Sequence, residues 1–128
     1  MFSGDLSLKS AKFRGYLSLD GSIVKGDLLA GNLSVDGDLS MGRNAHFRHA
    51  RLAGAMVSGA MDVSGARIDG LFDARRLQVG GNLSMARKAQ FAAEVRLISA
   101  RIGDSLHLRK RISDGNFDLT SATIADKL

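Results

Sequence analysis

Residues 37–47 read GDLSMGRNAHF and residues 81–91 read GNLSMARKAQF, one phrase returning 44 residues later with its Leu, Met, Ala and Phe in place. The phrase is one line of a shorter repeat. From Leu6, steps of 11 residues land on Leu17, Leu28, Leu39, Ala50, Met61, Phe72 and Leu83. One residue is inserted before Phe91, and the frame resumes at Val95, Leu106, Phe117 and Leu128. Counting each of these as position 1, the apolar residues fall at positions 1, 3, 6 and 8, as in Leu6, Leu8, Ala11 and Phe13. In the two quoted units the second pair slips by one, giving Leu39, Met41, Ala45, Phe47 and Leu83, Met85, Ala89, Phe91. Of the 44 such positions 41 are apolar, the exceptions being Ser22, Arg111 and Ser113. A chain that is 45% hydrophobic would fill about 20 by chance, so the frame is real.

The spacing selects strands over a helix. On a helix the third residue of a unit would sit almost opposite the first, and the apolar set would ring the axis. Glycine stands at position 10, two residues before the next unit, at Gly4, Gly15, Gly26, Gly37, Gly59, Gly70, Gly81 and Gly115. In a helix each would cost about 1 kcal/mol, whereas a turn with positive φ welcomes it. The Asp or Asn that often follows (Asp5, Asp27, Asp38, Asn82, Asn116) suits the same turn. Two inward residues separated by one outward residue make a short strand, and the longer gaps are corners. Each unit is thus two strands and two corners, and two units close a four-sided coil of 22 residues. The expected fold is an all-β, right-handed parallel β-helix of about six coils, a rod about 28 Å long, the hand following the usual crossover preference. Residues 1–128 form a single domain.

With inward positions alternating small and large, the repeat resembles the pentapeptide-repeat β-helices of bacteria, here with faces of alternately five and six residues. FAAEVRLISARIG (91–103) and FDLTSATIADKL (117–128) are similar to large bacterial solenoids built from GEVRLxGARIGGxLxLxGA units. VDGDLSMGRNAHF (35–47) and IDGLFDARRLQV (68–79) resemble bactofilins, cytoskeletal β-helices that polymerise end to end. These resemblances imply a β-helical scaffold, and the last implies a polymer. Some pentapeptide-repeat proteins mimic DNA and bind type II topoisomerases, which calls for an acidic rod. A net charge of +5 and a pI near 10.1 argue against that role here.

The polar residues mostly obey the frame, whereas an active site usually breaks it. His46 and His107 alternate with inward residues and point outward, and His49 sits at a corner. None has a His or Cys at ligand spacing, and with no Cys there is neither a disulfide nor a thiolate metal site. VDGDLS (35–40) lacks the later acidic ligands of a calcium loop. VGGNLS (79–84) has neither dinucleotide nor P-loop spacing. Asp62, Asp69 and Asp73 cluster in sequence but fall on different faces or corners. The expectation is a non-enzymatic structural or interaction module with no cofactor, no metal and no small-molecule substrate. Its partner would be itself, through its ends, or another protein. With no signal peptide, no apolar run near the ~20 residues that cross a bilayer and no Cys, the expected place is the cytoplasm, with a peripheral membrane position as the alternative.

Charge gives a second reading. Residues 75–111 carry nine basic residues against two acidic ones, while the rest of the chain carries nine against eleven. Arg43, Arg75, Arg76, Arg87, Lys88, Arg109, Lys110 and Arg111 form a candidate basic ridge, in which Arg43, Arg87 and Lys110 share position 5 of alternate units, with Gly65 as a gap. Such a ridge would bind nucleic acid backbone or anionic membrane. Equally, it would keep a repetitive β surface soluble and discourage edge pairing. No aromatic residues interleave it, so base stacking is not expected. The frame runs through both ends, with Phe2 at position 8 of a unit starting before residue 1. Either the chain is a piece of a longer solenoid or its ends pair with other copies. The expected end-to-end interface comprises Phe2, Leu6, Leu8, Phe117, Leu119 and Ile124.

Overall fold

A computed structural model describes residues 4–85, 89–108 and 117–124. It is an all-β solenoid of stacked parallel coils. Every strand is two or three residues long, because only that many fit between corners. Side I stacks Leu6–Ser7, Leu28–Leu29, Ala50–Arg51, Phe72–Asp73, Val95–Arg96 and Phe117–Asp118. Side II stacks Lys12–Phe13, Ser34–Val35, Met56–Val57, Gln78–Val79, Arg101–Ile102 and Thr123–Ile124. Side III runs Leu17–Ser18, Leu39–Ser40, Met61–Asp62, Leu83–Met85 and Leu106–Leu108. Side IV holds His46–Phe47, Arg67–Ile68 and Gln90–Phe91, with Ile23 bridged to His46. All pairings are parallel. On sides I, II and III residues 22 apart face each other, as in Leu6 with Leu28, until the inserted residue stretches one step to 23, as in Phe72 with Val95; on side IV the steps are 23, 21 and 23, from Ile23 to His46, Arg67 and Gln90.

Positions 1, 3, 6 and 8 build the core. Leu28, Ala30, Leu33, Val35, Leu39 and Met41 are all at most 1% exposed, and the stack continues to Leu106. Burying each large aliphatic side chain contributes about 1.5–3 kcal/mol, so the rungs, each thin, stabilise one another only when stacked. The rings of Phe72 on side I and Phe91 on side IV meet edge to face, with centroids 5.3 Å apart.

The corners differ from expectation in one respect. Positive φ is not at position 10, where Gly15 alone adopts it among the described residues, but at position 5. Ser10, Gly21, Asn32, Arg43, Gly54, Gly65, Arg76, Ser99 and Ser121 are all left-handed there. The position 3 carbonyl accepts from the position 6 N–H across this corner, as in Ala11 N–H to Leu8 O (3.1 Å), and one left-handed residue in the third place makes the turn type II. Glycine at position 10 answers to space instead. A Cβ on Gly37 would lie 2.7 Å from the carbonyl of Gly15 in the coil before it. On Gly59 a Cβ would collide with the carboxylate of Asp38.

That carboxylate explains the Asp at position 11. Asp38 Oδ1 accepts from the Ala60 N–H (2.9 Å), Asp5 Oδ1 from Asp27 N–H (2.8 Å) and Asn82 Oδ1 from Ser105 N–H (2.9 Å). Each side chain satisfies a corner amide one coil further on, where the strand ladder is interrupted. His49 occupies the same position, and its Nδ1 accepts from the Leu71 N–H at 2.7 Å.

Candidate functional site

Of the basic residues singled out in the sequence, Arg43, Arg75 and Arg76 are described, and they stand at two corners. Arg75 and Arg76 stand at the corner between sides I and II, and Arg43 at the corner between sides III and IV, across the rod. Arg87, Lys88, Arg109, Lys110 and Arg111 lie outside the described residues, as does Phe2. Arg75 is already engaged: its Nε and a terminal nitrogen grip both oxygens of Asp73 at 2.9 and 3.0 Å. Asp73 is only 4% exposed, so this fork neutralises a carboxylate taken out of water. Register places Arg51 and Arg96 on either side of Asp73 along the outer row of side I. Arg96 also pairs with Glu94 at 3.0 Å, and that contact first, with the charges of Asp73 and Asp118 behind it, raises its guanidinium above the ordinary value. Asp62, Asp69 and Asp73 do separate as expected, with Asp62 on side III, Asp69 leaving side IV and Asp73 on side I.

Polar side chains converge on side IV. Its geometry begins in GRNA (42–45), the centre of the stretch that opened the sequence reading. The one-residue slip in this unit is taken up by the turn: Arg43 (φ 45) and Asn44 (φ 71) are both left-handed, and the Gly42 carbonyl accepts from the Ala45 N–H at 3.0 Å. Two left-handed central residues make it type I′ rather than type II. The strand leaving it sets His46 in register with Arg67 of the next coil and Ile23 of the one before. His46 Nε2 then lies 2.7 Å from Asp69 Oδ2, while Arg67 Nε donates to Asp69 Oδ1 at 3.1 Å. One carboxylate thus ties two coils together through an imidazole and a guanidinium. The hydrogen bond to His46 is the main cause that holds the Asp69 carboxyl below its ordinary value, helped by the charge of His46 and by Arg67, and opposed by partial burial.

The His46–Asp69 pair escaped the sequence reading, which left the imidazoles scattered on the surface. The signal was the one-residue slip of AHF (45–47), which brings His46 over Arg67 and so within reach of the carboxylate two residues further on. Around the pair runs a shallow groove lined by Ile23, Arg43, Asn44, Ala45, His46, Gly65, Arg67 and Gln90. The only ion pair of Arg43 among the described residues is a 4.0 Å contact with Asp20, and its side chain is 87% exposed.

No family model, curated protein or solved structure matches the chain. The groove's chemistry therefore has to speak for itself. Nε2, the imidazole nitrogen that projects furthest from the backbone, is occupied by Asp69, so the pair reads as a clamp between coils with a cationic rim. Among the described residues no group of three or more His, Asp or Glu side chains is placed to hold a metal ion. No described helix is long and apolar enough to cross a membrane.

Proposed function

We propose that this chain is a non-enzymatic structural or interaction module, a β-solenoid scaffold that associates with further copies through its ends. The observation that supports this reading is the unbroken stack of parallel coils, in which each rung buries its core against its neighbours. Leu6, Leu8, Ala11, Phe13, Leu17 and Leu19 are inward residues of the same kind as those one coil on, yet all are partly exposed. Among the described residues their strands pair on one side alone. Of the other interface residues named from the sequence, Leu119 and Ile124 are likewise partly buried against the core, and nothing is described of the Phe117 side chain.

Backbone polarity supports a specific arrangement. On sides I and III the N–H groups donate forward to the next coil, as in Leu6 N–H to Asp27 O (3.0 Å) and Leu17 N–H to Asp38 O (3.0 Å). On side II they donate backward, as in Ser34 N–H to Ala11 O (2.9 Å). The first coil therefore offers carbonyls of Asp5, Ser7, Tyr16 and Ser18 on sides I and III and amides of Lys12 and Arg14 on side II. A copy placed head to tail, like side over like side, meets each with its complement. Unsatisfied strand edges favour such pairing, and a heterologous contact of this kind propagates into a filament.

In this reading the protein stands beside the pentapeptide-repeat-like and bactofilin-like β-helices as a cytoplasmic or membrane-peripheral scaffold. Sedimentation velocity over a wide concentration range tests it, and monomer throughout would refute self-association. The second reading, a basic binding surface, is favoured at one place, the cationic rim of side IV.

A further inference from the structure

We infer that the side IV groove is a binding site for a phosphate group, built from the guanidinium groups of Arg43 and Arg67 and the side-chain amides of Asn44 and Gln90. Three observations carry this. First, both arginines line the groove, and each has donors to spare: Arg67 spends Nε on Asp69, and Arg43 has only its 4.0 Å contact with Asp20 among the described residues. Planar guanidinium forks and neutral amides offer the outward donors that a tetrahedral oxyanion needs.

Second, the site is held in place. Asp69 grips Arg67 from one side and His46 from the coil below, so the Arg67 side chain is anchored at its Nε while its outer nitrogens stay available. Asp69 beside Arg67 and Asp20 beside Arg43 both bear on an incoming anion unfavourably. What favours an anion is the donors left over: Asp20 Oδ1 accepts from Ser40 Oγ (2.6 Å) and the Gly42 N–H (2.9 Å) and Asp20 stands 4.0 Å from Arg43, while Asp69 takes only Nε of Arg67.

Third, the backbone is bent out of pattern here. Each described type II corner has one left-handed residue, whereas in this type I′ turn Arg43 and Asn44 are left-handed in succession. A left-handed Arg costs about 1 kcal/mol relative to Gly, and Gly is what the same corner carries at Gly21 and Gly65. Strain of this kind persists where the surroundings or the function hold it. Gly65, whose carbonyl accepts from the Asn44 N–H at 3.1 Å, lines the groove without a side chain of its own.

The test is titration of the full chain at low ionic strength with inorganic phosphate and, separately, with a short oligothymidylate, followed by calorimetry and by NMR shifts of the groove residues. Arg43→Gly suits the left-handed turn and Arg67→Gln keeps a donor near Asp69, so both should fold; circular dichroism checks this. Arg76→Gly, at the opposite corner, is the charge-matched control. We expect binding with shifts confined to side IV, weakened about tenfold by Arg43→Gly or Arg67→Gln and within about twofold of wild type in Arg76→Gly. Binding of phosphate alone, with no gain from the oligomer, identifies a small phosphorylated ligand; tighter binding of the oligomer identifies a polymer backbone. No binding of either probe, or equal losses in all three variants, would overturn the inference. None of these outcomes depends on whether the coils stack end to end.

Discussion

Single residues in this fold are chosen by the coil that follows them. His49 does the work that Asp5, Asp38 and Asn82 do at equivalent corners, presenting an acceptor to an amide one coil on. His49→Asn should therefore leave stability almost unchanged. His49→Leu, which strands the Leu71 N–H, should lower it by about 1–3 kcal/mol in urea denaturation. Equal losses in the two variants would mean that ring packing, not the acceptor, is what matters. Gly59→Ala should cost about 1–3 kcal/mol, because its Cβ would press on Asp38 and on Gly37. The sequence displayed the glycine and the aspartate but hid their meaning: a turn glycine and a glycine beneath a neighbouring carboxylate look alike in one dimension. The true left-handed row at position 5 was hidden for the opposite reason, since Ser, Asn, Arg and Gly all fill it.

At the scale of the strand and its corner, packing was the legible part. Positions 1, 3, 6 and 8 are inward because alternation along a two-residue strand leaves no other choice, and Leu28 through Leu106 bear this out. Phe72→Ala, which empties the centre of a rung and removes the contact with Phe91, should destabilise by about 3–5 kcal/mol. A loss below about 1 kcal/mol in chemical denaturation would mean that the rungs repack freely. Side IV was less legible. The one-residue slip in GRNA moves His46 off the regular step, so it faces Arg67 21 residues on rather than 22, and Asp69, two residues further, comes within reach. The pair also sets a pH response. Because the folded Asp69 carboxyl titrates below its ordinary value of 3.8, its contribution is complete above that value and is lost as pH falls through the folded value. The melting temperature should drop on acidification below about pH 4, and Asp69→Asn should flatten that part of the curve. Superimposable profiles for the two proteins would contradict the assignment.

For the whole molecule, an 11-residue frame read from one dimension gave the number of sides, the direction of the strands and the residues facing inward. The placement of its charge was not readable at the same level, because a count of Arg and Lys ignores which corner each one reaches. Arg75 proves to be spent on Asp73, and Arg43 looks out from across the rod. The assembly reading draws on the stack of parallel coils and on the edges it repeats, carbonyls and amides alternating from side to side. The contact it describes is apolar and backbone-mediated, so salt should not dissolve it. The most direct test is sedimentation velocity across a wide concentration range at low and at high salt. Species that lengthen with concentration and survive high salt are the predicted result. A monomer at every concentration, or an assembly that salt disperses, would contradict it.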